Sequence, residues 1–283
     1  MTGKVVKTIE ELRQWRALVE PGSTVGVVPT MGALHRGHEA LLEKMKKDCD
    51  QRVLTLFLNP LQFGPNEDLE RYPRTFEQDL KIASKQGVDL VFAPAVSELY
   101  PPDFSFLVHE KNWSHLLCGA TRSGHFDGVC TVVLKLFHLV QPHQAFFGLK
   151  DLQQYLMIRK MIRDLNLPIE LKGVSTVRDS DGLALSSRNR FLSQQEREKA
   201  PLLYRSLKEL RENPTSEAIK SVEKKLESEG FRVEYLEHRD FQTLKKIESP
   251  CPDRKSFIAL AAHLGSTRLI DNIIIDPMNT QRS

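Results

Sequence analysis

The sequence predicts an α/β fold: a parallel, doubly wound sheet over residues 1–176, followed by a smaller α+β domain over residues 177–283. Three observations carry this prediction. Short β-branched or apolar runs alternate with helix-length stretches as far as residue 177, which is the pattern of βαβ units. Several of these runs stop at Pro, Gly or Asn-Pro, the punctuation of strand ends. Beyond residue 177 the order changes to charged helices followed by three strands.

The elements follow in order. Residues 1–15 have no apolar signal core and read as a strand leading into a helix. Residues 24–28 are a β-branched run ending at Pro29, a buried parallel strand, and a helical pattern covers 38–47 after Gly32 and Gly37. A second strand, 52–58, closes at Asn59-Pro60. An amphipathic helix over 75–85 leads to a third strand, 88–92, stopped by Pro94. The strongly apolar stretch 126–140 is a helix, 145–147 a short strand, 151–165 a helix and 169–177 a strand. In the second domain, Ser193 to Glu196 form a capping box that opens a long charged helix. Pro214 breaks it, and a second charged helix covers 216–228. Strands over 231–237, 256–263 and 268–275 complete the domain, with a hairpin turn at 264–267 and a frayed tail after Asp276.

Composition narrows the function. The chain of 283 residues is 40% hydrophobic and 27% charged, ordinary for a globular protein, and has no apolar run of membrane-spanning length. The cytoplasm is the expected location. A net charge of +3 is too weak to indicate nucleic-acid binding but suits anionic small substrates. Cys49, Cys118, Cys130 and Cys251 form no CxxC pair and lack zinc-site spacing, so they are expected to be reduced and mostly buried.

Ligands of doubly wound sheets bind outside the carboxyl ends of the strands, and four segments fall there. Met31-Gly32-Ala33-Leu34-His35-Arg36-Gly37-His38 follows a strand and opens a helix. A helix N-terminus offers N–H groups and a positive dipole end to phosphate. Two imidazoles three residues apart can face one phosphate group, as cations or as N–H donors, and stabilise charge in a transition state. Asn59 and Gln62 lie past the second strand, where amides suit a ligand with hydroxyl and carboxylate groups. Tyr72-Pro73-Arg74-Thr75 with Asp79 downstream is ambiguous between a site and a helix start. In Gly148-Leu149-Lys150-Asp151, the lysine offers charge to a phosphate and the aspartate can accept from two ribose hydroxyls. Gln153 and Gln154 follow in one helical turn, so only one can face the site. Leu185-Ser186-Ser187-Arg188 makes a compact anion clamp at the domain junction, able to close over a triphosphate.

In order along the chain, PTMGALHxGH, FxNPxQFGPxED, YPRT, GHFxGVxTVVxKLF, FGxKDxQQ, TVRxxDGLAxSSRN and LGxTRLIDNI are all present. HxGH alone resembles the nucleotidylyltransferase and class I aminoacyl-tRNA synthetase superfamily. The full set resembles the pantothenate synthetase (pantoate–β-alanine ligase) family over nearly the whole chain. The resemblance implies a Rossmann-like N-terminal domain, a C-terminal lid domain and a homodimer. It implies ATP-binding by Met31 to His38, Gly148 to Asp151, Val177 and Leu185 to Arg188. It further implies catalysis by His38, contact of Gln62 with pantoate and β-alanine, and contact of Gln154 with pantoate. His35, Lys150 and Arg188 join His38 as expected catalytic residues by their positive charge or N–H donors, and Asn59 is expected to bind pantoate or β-alanine with the two glutamines. Mg²⁺ would accompany the triphosphate, its ligands unidentified. Ser123, His143 and Leu149 depart from the usual pattern, where Pro, Asp and a charged residue are common.

The implied reaction joins (R)-pantoate to β-alanine through pantoyl adenylate, releasing pyrophosphate and AMP. Two anions meet in its first step, so the site must supply positive charge and placement. A transferase that keeps the nucleotide on its product, and an RNA-binding synthetase-like module, are the competing readings. The amides of Asn59, Gln62 and Gln154 disfavour the first, and the lack of a basic stripe disfavours the second.

Overall fold

The computed structural model describes residues 3–65, 67–249 and 252–277. The chain divides into two compact units, Met1–Ser175 and Thr176–Ser283.

The first unit is built on a six-stranded sheet in the order β1-β4-β3-β2-β5-β6, with every pairing parallel. The strands are β1 Lys4–Val6, β2 Val25–Thr30, β3 Gln51–Leu56, β4 Leu90–Phe92, β5 Gln144–Gly148 and β6 Glu170–Val174. Leaving aside β1 at one edge, this is the Rossmann order, and the direction of winding reverses between β2 and β5. Parallel strands joined by crossovers need both faces covered. Val28, Leu54 and Leu56 form a core with Leu41, Leu42 and Met45 of helix α2 Arg36–Asp48 and Ala83 of α3 Phe76–Lys85. The alternate residues Val25, Val27 and Val53 are fully buried as well. Helix α1 Ile9–Ala17 starts at a Thr8/Glu11 capping box. Two short helices, α4 Val96–Leu99 and α5 Cys118–Thr121, lie in stretches whose residues show no helical period. Helix α6 His125–Val140 buries ten of its residues and packs against α1, β2 and α7 Leu152–Asp164. Gly128 of α6 meets the backbone of Leu61, so closely that an added Cβ would lie 2.2 Å from that carbonyl oxygen. This close approach brings the segment after β3 onto α6.

The second unit has α8 Gln194–Lys199, α9 Leu202–Glu212 and α10 Ser216–Ser228, then the antiparallel sheet β7 Phe231–Asp240, β8 Ser256–Leu264 and β9 Thr267–Ile275. The Ser193/Glu196 capping box is present, but the expected long helix is two, because Pro201 lacks an N–H and begins a new helix as its N-cap. Strand β7 runs three residues beyond its expected end at 237 and carries an irregularity between Val233 and Tyr235. Leu207, Leu210, Val222 and Leu226 pack on Ile258, Leu260 and Ile273 of the sheet.

Cys49, Cys118 and Cys130 are free and buried. Cys251 and residues 278–283, on which the remaining cysteine and most of the frayed tail fall, lie outside the described residues. Among the described residues no helix is long and apolar enough to cross a membrane.

Candidate active site

The turn between β2 and α2 lies at the carboxyl end of β2, beside the reversal of winding. His35 is the N-cap of α2 and His38 is its third residue, and the two cap each other. The Gly37 N–H donates to His35 Nδ1 at 3.1 Å, and the His35 N–H donates to His38 Nδ1 at 3.3 Å. An Nδ1 that accepts a hydrogen bond carries no proton, so both rings hold their proton on Nε2. The ring centroids are 4.2 Å apart. Desolvation, and next the neighbouring His35, lowers the pKa of His38 to about 3, although the residue as a whole is only half-buried. Of the two forms the sequence left open, the structure selects the neutral one: His38 is an N–H donor and not a cation at neutral pH.

The backbone of this turn is largely engaged. Ala33 and Leu34 donate their N–H groups to the Asp79 carboxylate at 3.0 and 2.8 Å. The His38 and Glu39 N–H groups donate to the His35 carbonyl at 2.7 and 3.1 Å. The free amides expected of a helix N-terminus are therefore mostly tied up within the chain, and the imidazole Nε2–H groups become the turn's principal donors. Asp79 had no clear role in the sequence; the signal that could have found it was a carboxylate at the start of α3, a helix opening at the same sheet edge.

Asn59 is 1% exposed, and its amide is fully engaged. Its Nδ2 donates to Gln62 Oε1 and to the Gly128 carbonyl, both at 3.1 Å, while its Oδ1 accepts from Tyr100 Oη at 2.9 Å and from the Leu61 N–H at 3.3 Å. Gln62 is thus held through its oxygen, while its Nε2 donates to Met31 Sδ at 3.0 Å. Thioether sulfur is a weak acceptor, so a better acceptor could recruit this donor. The Gln62 carbonyl accepts from His125 Nδ1 at 2.7 Å and from Arg122 at 3.2 Å. His125 must donate through Nδ1 to that carbonyl, which leaves its Nε2 to accept from Arg122 at 2.9 Å. Glu67 holds the same guanidinium at 2.8 and 2.5 Å, and Arg122 keeps this carboxyl below its ordinary range against the opposing cost of burial. Glu67 and His125 lie within the quoted FGPxED and GHF motifs but had no role assigned from the sequence, and Tyr100 was not singled out.

Gly148 ends β5, and Leu149–Asp151 form a 3-10 turn before α7. An added Cβ on Gly148 would meet nothing within 4 Å among the described residues. Leu149 lies over Gly173 of β6, its Cδ2 2.9 Å from where a Cβ would be, which gives an apolar residue at this position a packing role. Lys150 Nζ is 3.7 Å from Asp151 Oδ1. Both charges act on His38, Asp151 raising and Lys150 lowering its pKa, so this segment and the histidine turn share one region. The two glutamines differ in setting. Gln153 is 6% exposed and turned inward, accepting from the Cys118 N–H at 3.0 Å and donating to the Leu116 and Trp113 carbonyls at 2.7 and 3.3 Å. Gln154 is half-buried and makes no side-chain hydrogen bond to the described residues.

The remaining expected residues belong to the second unit. Val177 and Leu185 flank a hairpin-like turn, joined by a Leu185 N–H to Val177 carbonyl bond of 3.0 Å. Ser186 caps the 3-10 turn Ser187–Phe191 by accepting from the Arg188 N–H at 3.3 Å. Arg178 anchors the turn, with paired bonds of 2.6 and 2.9 Å to the buried Asp271 and its guanidinium 3.5 Å from the Tyr204 ring centroid. Among the described residues there is no group of three or more His, Cys, Asp or Glu that could hold a metal ion.

Comparison with known proteins identifies the family. The family model described as pantoate-beta-alanine ligase matches residues 4–274. The pantothenate synthetase of Thermotoga petrophila is 47% identical over 281 residues, covering 96% of this chain and 99% of that protein. The crystal structure of pantothenate synthetase from Thermus thermophilus superposes with a TM-score of 0.89 at 45% identity, covering 95% of this chain and 98% of that one. The structure of pantoate-beta-alanine ligase from Francisella tularensis, complexed with beta-gamma ATP and beta-alanine, superposes with a TM-score of 0.83 at 31% identity, covering 96% and 97%. With its family-model match spanning nearly the whole sequence, the chain belongs to the pantoate–β-alanine ligase family.

Proposed function

We propose that the protein condenses (R)-pantoate with β-alanine at the expense of ATP, through a pantoyl adenylate, in the biosynthesis of pantothenate and hence coenzyme A. The observation that carries this reading is the mutually capped histidine pair at the carboxyl end of β2, in a chain that belongs to the ligase family throughout. In the first step a pantoate carboxylate oxygen attacks the α-phosphorus and pyrophosphate leaves. The Nε2–H groups of His35 and His38 and the ammonium of Lys150 stabilise the charge that shifts onto the phosphate oxygens. Arg188, with Ser186 and Ser187, holds the triphosphate. Mg²⁺ enters bound to ATP, as part of the substrate, and screens its charge. In the second step the amine of β-alanine attacks the acyl carbon, and AMP leaves as the amide forms and the amine loses a proton. Asp151 accepts from the ribose hydroxyls.

Asn59 acts by orienting Gln62, because its own amide is engaged, and Gln62 and Gln154 hold the small acid. The enzyme works as a cytoplasmic homodimer. The test of the reaction is incubation with ATP, pantoate and β-alanine, following AMP by chromatography. A transferase that keeps the nucleotide on its product releases no free AMP.

The two glutamines of α7 give a sharp pair of expectations. Gln154→Ala should weaken pantoate binding about 10–100-fold, the loss of one hydrogen bond to a charged group, with ATP binding and thermal stability unchanged. Gln153→Ala should instead destabilise the fold by about 1–3 kcal/mol by orphaning buried backbone groups. Gln62→Ala should behave as Gln154→Ala does. Calorimetric titration with each substrate and a thermal melt separate these outcomes, and a large loss of ATP affinity would move either residue to the other subsite.

A further inference from the structure

The turn that carries the two histidines rests on one buried carboxylate. Asp79 is 2% exposed. One of its oxygens accepts from the Ala33 N–H, and the other from the Leu34 N–H and from Thr75 Oγ1 at 3.1 Å. Gly32 and Ala33 have φ of +85° and +53°. Residues in this conformation turn successive amides toward one point, a concavity suited to an anion. Here the chain supplies the anion itself. A left-handed alanine costs about 1–2 kcal/mol, so Ala33 keeps this conformation only because its surroundings hold it. The next residue after the held amides is His35, whose N–H and ring make the reciprocal bonds with His38.

We propose that Asp79 is a positioning residue for adenylation: its carboxylate fills the Gly32–Leu34 nest, fixes the turn so that both imidazoles present Nε2–H to one phosphate, and keeps the triphosphate out of the nest. This rests on the ligase reading. A carboxylate that merely stapled α3 to the turn would matter for folding and would affect both half-reactions alike. A positioning carboxylate acts through the histidines, and so on the phosphoryl step.

The test is Asp79→Asn, an isosteric change that sets an NH₂ group against one of the three donors. In pantoate-dependent ATP–pyrophosphate exchange, kcat should fall about 10–100-fold, the scale of a small misplacement of reacting groups. Pantothenate formation from supplied pantoyl adenylate and β-alanine should stay within about threefold of the parent. The ring ¹⁵N spectrum of His38 should lose its single Nε2–H tautomer while the protein still melts cooperatively. Unchanged exchange, or equal loss in both half-reactions with unchanged histidine signals, overturns the proposal. Should Asp79→Asn not fold, Thr75→Val loosens the same carboxylate from the other side, since it removes the hydroxyl from which Asp79 Oδ1 accepts at 3.1 Å. The same split between half-reactions is expected there, and its absence is equally decisive. If the unaltered protein makes no AMP from the three substrates, it is the ligase reading that fails, and the histidine spectra still report whether Asp79 sets the tautomers.

Discussion

His38→Ala should lower kcat for adenylation by about 10²–10³, the effect of removing one donor aimed at charge that develops in a transition state. The structure adds a pH signature. His38 is held neutral with a pKa of about 3, mainly by desolvation. Its donor is therefore present at every pH above that value, and the rate between pH 6 and 8 should show no limb belonging to this residue. A catalytic imidazolium would lose activity as pH rises through the ordinary histidine range. The linkage to stability has the opposite sense to a salt bridge. Because the folded pKa lies below the unfolded value of 6.5, the unfolded chain takes up more protons between the two, and His38 destabilises the fold progressively as pH falls from about 6.5 toward 3. Single-turnover rates across pH, for the parent and the alanine variant, check the first statement, and acid titration of the melting temperature checks the second. Near-full kcat in a folded His38→Ala protein would remove His38 from the chemistry.

Lys150→Ala should cost adenylation roughly 10³-fold or more, the range for deleting a cation that neutralises a transferring phosphoryl group. The side chain is 18% exposed and 3.7 Å from Asp151 Oδ1, held at the region it shares with His38. Once pantoyl adenylate exists, the phosphoryl charge is settled and the acyl carbon is the reacting centre. The second half-reaction should therefore be less affected. Supplying pantoyl adenylate and β-alanine to the variant measures this directly. If that step falls as far as the first, Lys150 supports the whole site and is not a specific partner of phosphate.

The sheet was legible because its strands are buried on both faces and so appear as short apolar runs, as at Val25–Val28 and Val53–Leu56. Elements without such a pattern escaped: α4 and α5 are four residues each, too short to show a helical period. The break at Pro201 was visible as a proline but lost within a long charged stretch, since a helix can restart at once after a proline at its N-cap, where no N–H is needed. At the site, HxGH announced itself by spacing. The network behind it did not, because Asp79, Tyr100, Glu67 and His125 act through contacts between segments dozens of residues apart, such as the 46 positions separating Ala33 from Asp79. The rivalry of Gln153 and Gln154 was posed by sequence as a matter of helix facing. Sequence could not show that the Gln153 amide is tied to the carbonyls of Trp113 and Leu116, which lie far away along the chain.

Gly148 has a backbone φ of −75° that any residue adopts, and no atom of the described residues lies within 4 Å of where its Cβ would go. Nothing in folding itself therefore asks for glycine here. An alanine would fit the folded chain and, by narrowing the unfolded ensemble, stabilise it by about 0.4–1 kcal/mol. The pressure to keep glycine would come from the nucleotide that the proposed function brings alongside. Selection for thermal robustness alone would then drift toward a sturdier protein with a crowded site, and a screen that scored only heat resistance would favour variants impaired in turnover.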